Sequence, residues 1–155
     1  MRENPKQQIR IWAMLCHLSA LLWIPLASLL LLGIPLYLPL LNIVPPLIIW
    51  HWKKTQDPWI DFQGKESLNF QLSLTAYALI VIVASLFLVL ITCGMVVTTN
   101  VTAKYLETVF NNLITALGLF ISVLMVLQLS LVNIAAFKAY KGQHYRYPFT
   151  IRFLK

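Results

Sequence analysis

The stretch KKTQDPWIDFQGKESLNFQ, from Lys53 to Gln71, decides how this 155-residue chain is read. It places Lys53, Lys54, Asp57, Asp61, Lys65 and Glu66 between two runs apolar enough to sit in hydrocarbon. Such a segment belongs at a membrane surface, and the side it occupies fixes the topology of everything flanking it. Two apolar segments precede it and two follow, which predicts an all-α polytopic membrane protein, a four-helix transmembrane bundle with a short second helix.

Composition points the same way. The chain is 59% hydrophobic and 11% charged, with a mean hydropathy of +0.76, whereas soluble domains are about 25% charged. One membrane domain, residues 1–155, uses the whole length. The net charge of +7 is carried at the ends of apolar runs, where Lys and Arg meet anionic headgroups. Without a basic stripe interleaved with exposed aromatics, nucleic acid is not an expected partner. Cys16 and Cys93 fall near opposite faces of the bilayer, so both read as small buried hydrophobes and no bridge is expected.

Working back from the central stretch, helix two is expected over residues 42–54, with Asn42 as its cap and Pro45 and Pro46 in its first turn. At about 18 Å it falls short of a hydrocarbon core of about 30 Å. Its amino terminus is either a dipole end inside the membrane or part of a thin, tightly looped span. Gly33, Pro35 and Pro39 mark a connection. Helix one, residues 11–32, reaches about 33 Å and bends at Pro25, with Trp12 at an interface and Trp23 packed on a neighbour. His17 within it has three readings: a proton relay, a haem ligand with His51 as second ligand, or a hydrogen-bonded contact between helices.

Working forward, Asp57 and Pro58 mark a turn, and Trp59 and Phe62 are interface anchors. Helix three starts within Gly64–Ser67 and runs over residues 65–93, ending at Gly94. Glu66, Asn69, Ser73 and Tyr77 share one face of it, with Gln71 and Thr75 on another side. These residues either sit at headgroup depth or line a polar vestibule. Residues 95–111 read as a polar loop with Lys104 and Glu107; Asn100 opens an Asn-Val-Thr triplet of no weight in a bacterial membrane. Helix four covers residues 112–140, and its Asn111, Thr115, Gly118, Ser122 stripe is a close helix contact or a pore lining. In the tail, residues 141–155, Phe149, Ile151 and Phe153 alternate with Thr150, Arg152 and Leu154, so the tail is expected along the membrane surface with Arg146, Arg152 and Lys155 toward headgroups.

Sidedness follows from Lys and Arg. Arg2, Lys6 and Arg10, then Lys53, Lys54 and Lys65, then Lys138, Lys141, Arg146, Arg152 and Lys155 share one side when four segments cross, with Lys104 opposite. The positive-inside rule makes that side, and both termini, cytoplasmic. The chain has no Gly-rich phosphate loop, no HExxH, no nucleophile elbow and no buried acidic pair, so no enzyme, cofactor or metal is expected. Its partners are the lipid bilayer and either further copies or other membrane proteins, in a bacterial plasma membrane or, for a cyanobacterial source, a thylakoid.

Four strings, WAMLCHLSALL at Trp12–Leu22, PLIIWHWKK at Pro46–Lys54, DFQGKESLNFQLSLT at Asp61–Thr75 and AAFKAYKGQHYRYPFTIRFLK at Ala135–Lys155, resemble a family of small four-helix bacterial membrane proteins. That family is a domain of unknown function grouped with the Tic-twenty type subunit of the chloroplast inner-envelope protein translocon. The resemblance implies a channel-like subunit aiding protein translocation or insertion, with a wet path lined by Asn69, Gln71 and Ser73. The alternative is a non-conducting scaffold or assembly factor with a dry core. The shared motif residues are His17, Gly64, Lys65, Glu66, Asn69, Gln71, Tyr147, Pro148 and Arg152, with Glu66 a candidate partner for Arg146 or Arg152.

Overall fold

The longest helix is set by two residues of the central stretch. In the computed structural model, which describes residues 5–22, 24–25, 42–98 and 103–155, the Asp57 carboxylate accepts from the Trp59 amide at 2.7 Å. Pro58 takes the first helical position. An Asp cap satisfies an amide that has no intrahelical partner, and proline loses nothing where no donor is needed. Asp57–Pro58 is therefore a helix start. The helix begins ahead of the expected Gly64–Ser67, and most of the presumed surface segment is helical.

Four α-helices and no strand occur among the described residues: α1 (Pro5–Leu18), α2 (Val44–Lys53), α3 (Pro58–Thr98) and α4 (Ala103–Tyr140). The α-helical path of α1 stops at Leu18 and tightens into a 3-10 turn at Ser19–Leu21, closed by the Leu22 amide on the Ser19 carbonyl at 3.1 Å. Ser19 Oγ bonds the Cys16 carbonyl, and Pro25 has no amide to carry the ladder on. The expected helix over residues 11–32 therefore begins earlier and breaks after Leu18. Ile24 and Pro25 are again helical, while Trp23, residues 26–32, the Gly33–Pro39 connection and Asn100 lie outside the described residues. Asn42 does not cap α2: Ile43 holds the cap position without a side-chain bond, and Pro45 and Pro46 lie in the first turn.

Gly94 does not end α3. An isolated glycine costs a helix about 1 kcal/mol, and hydrocarbon offers the backbone no other partner, so the helix continues to Thr98. The polar loop expected over residues 95–111 shrinks correspondingly, with Lys104 and Glu107 in the first turns of α4.

The chain divides into two compact units, Met1–Thr75 with Gln128–Lys155, and Ala76–Leu127. In the first, α1 packs on α2 and the 3-10 turn packs on both, while Phe70, Val132, Ala135 and Tyr147 form a buried cluster flanked by Leu21, Leu74, Leu131 and Tyr145. The second consists of the apolar stretches of α3 and α4, and from Leu79 to Leu127 its large side chains are largely exposed. Two helices among the described residues, Pro58–Met95 and Lys104–Tyr140, are long and apolar enough to cross a membrane. The expectation of four spans is not met there: α1, with 14 residues, and α2, with 10, reach about 21 and 15 Å, short of a core of about 30 Å. Cys16 is buried and Cys93 exposed, and both are free thiols, so the expectation of two buried cysteines holds for Cys16 alone.

Gly142 closes α4. Its amide bonds the Ala139 carbonyl at 3.0 Å, the Gln143 amide bonds the Lys138 carbonyl at 2.9 Å, and its φ is +74°. This is a Schellman ending, which needs a residue tolerant of left-handed backbone. Gly142→Ala is expected to cost about 1–2 kcal/mol, seen as a lower midpoint on thermal unfolding in detergent. The Arg10 guanidinium, which an added Cβ would approach at 3.1 Å, is the mobile end of a side chain and adds little.

Candidate functional site

The base of α3 is buried around most of its circumference. Gln63, Ser67 and Gln71 are fully buried, Asn69 and Ser73 nearly so, and Glu66 is 7% exposed. Buried polar groups without partners are costly. Each of these except Glu66 is hydrogen-bonded to another part of the chain.

His17 is the first node. Burial pushes the Tyr147 phenol well above its ordinary range, with Tyr145 and Glu66 adding to the effect, so Tyr147 keeps its proton. Its hydroxyl donates to His17 Nδ1 at 2.9 Å. That leaves Nε2 as the protonated nitrogen, which donates to Gln63 Oε1 at 2.9 Å. The Gln63 amide nitrogen donates in turn to the Gln143 carbonyl. Tyr147 also stacks on Phe70, ring centroids 4.1 Å apart. This relay joins α1, α3 and the tail, and it occupies both imidazole nitrogens. His51 is exposed on α2, and among the described residues no group of three His, Cys, Asp or Glu could hold a metal.

Asn69 and Ser73 hold the tail. Asn69 accepts from the Leu154 amide at 2.8 Å and donates to the Leu154 carbonyl at 2.9 Å. Ser73 Oγ accepts from the Ile151 amide at 2.8 Å and donates to the Asn69 carbonyl. Trp59 and Phe62, expected as interface anchors, contact the His144 ring at centroid distances of 4.6 and 5.0 Å. Asn69→Ala removes two hydrogen bonds of about 1 kcal/mol each. Trypsin should then cleave after Arg152 on the order of thirtyfold faster; an unchanged rate would show that Asn69 does not hold the tail.

Gln71 is the third node. Its Oε1 accepts from Asn42 and from Gln128, each at 3.1 Å, while its Nε2 has no partner among the described residues. Gly64 lies under Trp50, whose Nε1 donates to Asp61 at 2.9 Å. Lys65 pairs with Asp61 at 2.7 Å, and Lys54 stands 4.6 Å over the Trp50 ring.

Of the residues singled out in the sequence, His17 and Tyr147 meet directly. Gly64 and Lys65 are linked through the Trp50 and Asp61 contacts. Glu66 pairs with neither arginine: among the described residues the ion pair present is Lys65–Asp61, and Arg152 and Pro148 are exposed. Glu66 is buried whereas Arg152 is exposed. Gln63 and Trp50, which fall inside the quoted strings, and Gln128 are not among the residues the sequence singles out. Gln63 adjoins the Gly64–Glu66 string, but nothing local marks Gln128. The α4 stripe is exposed: Thr115 and Ser122 bond the carbonyls of Asn111 and Gly118 on their own helix, and no described atom lies within 4 Å of a Cβ added at Gly118.

A profile of the magnetosome magnetite crystal formation protein family, MamF/MmsF, matches residues 8–154. The chain belongs to that family. The match runs from within α1 of this MamF/MmsF member through α2, α3 and α4 to Leu154 of the tail that α3 holds. No curated protein and no solved structure matches the chain, and nothing in these comparisons joins this family to the Tic-twenty type translocon subunit.

Proposed function

We propose that this MamF/MmsF protein resides in the magnetosome membrane, itself drawn from the inner membrane, and supports magnetite crystal formation as a non-conducting scaffold. The family match over residues 8–154 carries the biological process. The scaffold reading is supported by the fate of the three side chains that would line a wet path. Asn69 and Ser73 are committed to the tail backbone and Gln71 to Asn42 and Gln128. A conduit for unfolded polypeptide would need them facing water, which disfavours the translocon-like role implied by the sequence resemblance.

The lysine and arginine distribution supports a topology with both termini and the α2–α3 turn cytoplasmic, and α3 and α4 crossing. The polar base then lies on the side away from the crystal. The start of α4, with Lys104 and Glu107, faces the lumen. On this reading the chain performs no catalytic step and acts through what its cytoplasmic base organises.

Deletion of the gene in a magnetite-forming bacterium, with electron microscopy of the crystals, tests the proposal. Smaller or fewer crystals with normal protein export are expected. Normal crystals would refute it, and accumulated preproteins would favour the translocation role instead.

A further inference from the structure

We propose that the tail from Arg146 to Lys155 is an anionic-lipid anchor, a clamped extended segment that sets Phe149, Ile151 and Phe153 into the bilayer interface and Arg146, Arg152 and Lys155 against lipid phosphates. The clamp fixes its register. With the Ile151 amide on Ser73 and both backbone groups of Leu154 on Asn69, the segment cannot roll about its axis. Thr150 and Leu154 are half-buried, while Phe149, Ile151 and Phe153 are 89%, 45% and 51% exposed.

Three large apolar side chains projecting within five residues form a surface that water does not favour. Phe149 adds a second observation: its φ is +57°, a left-handed backbone that a bulky side chain rarely adopts, and one held between buried Tyr147 and the Ser73 contact. Ser73 stands six residues, or about 9 Å, before Leu79, the first exposed large apolar side chain of α3.

Charge selects the occupant. Arg146, Arg152 and Lys155 are exposed, and none takes part in an ion pair among the described residues. A second copy docking by two-fold symmetry would oppose these cations to themselves, whereas an anionic leaflet complements them. An amphipathic segment with this mixture of aromatic and basic residues suits the headgroup and acyl boundary.

The full chain with Cys93→Ser and Phe153→Cys, spin-labelled at the new thiol, provides the test, since Cys16 is fully buried. The protein is placed in phosphatidylcholine vesicles with and without phosphatidylglycerol. A label at Gln56→Cys, in the exposed turn before α3, serves as the aqueous reference. With phosphatidylglycerol, the label at position 153 should be accessible to oxygen and lose its collisions with a water-soluble nickel chelate. Combined Arg146→Gln, Arg152→Gln and Lys155→Gln should restore those collisions. Nickel access equal to that of the reference overturns the proposal. So does shielding that the triple substitution leaves intact, or dipolar broadening between labels on two copies in detergent.

Discussion

His17→Ala should destabilise the protein by about 3–5 kcal/mol. The side chain is fully buried, so its removal leaves a cavity. It also strands the Tyr147 hydroxyl and the Gln63 carbonyl, each 2.9 Å from an imidazole nitrogen. Stranded buried groups cost about 1–3 kcal/mol apiece. Tyr147→Phe strands only Nδ1 and should cost about 1–2 kcal/mol. Combining the two should lose less than the separate losses together, because one deletion removes the partner that the other strands. Unfolding in mixed micelles on SDS titration, followed by tryptophan emission, reads all three. Additive losses would show that the two side chains do not interact. A Soret band in the purified protein that vanished with His17→Ala would instead make His17 a haem ligand.

How much of this node was legible in the sequence depends on distance along the chain. That His17 sits in an apolar run and that Tyr147 belongs to a distinctive tail string are local facts. Their bond joins positions separated by 130 residues, and the Asn69 contact with Leu154 joins positions separated by 85. No periodicity reports such pairings. Helical spacing placed Asn69 and Ser73 on one face of α3, but whether that face meets water, lipid or the chain's own tail is decided by α4 ending at Gly142 and sending the tail back along α3. The Asp57 cap shows the opposite failure. Asp-Pro signals both a turn and a helix start, and the following apolar residues, Trp59, Ile60 and Phe62, favour the second. Gly94 misled because glycine ends helices in water, where freed backbone groups find solvent; an apolar environment removes that option.

Glycine at position 64 should prove intolerant of the smallest change, while glycine at position 118 should welcome it. A Cβ on Gly64 would lie 2.8 Å from Trp50 Cγ and 2.9 Å from Trp50 Cβ. Neither atom is the free end of a flexible side chain. Trp50 Cβ moves only with α2, and the ring is held by its bond to Asp61 at 2.9 Å and by Lys54 above it. Gly64→Ala must therefore push α2 away or swing the indole off Asp61. The first costs about 1–3 kcal/mol as overpacking, and the second gives up a hydrogen bond to a charged group, about 1.5–3 kcal/mol. A net loss of about 3 kcal/mol is expected, with a red shift in tryptophan emission if the indole leaves its site. Shortening the obstacle should relieve it, so Gly64→Ala combined with Trp50→Ala should cost less than the two changes summed. At Gly118 nothing lies within 4 Å of the added carbon, and Gly118→Ala should stabilise α4 by on the order of 0.5–1 kcal/mol through backbone entropy. Equal and small effects at both positions would mean that α2 does not rest on α3 at Gly64.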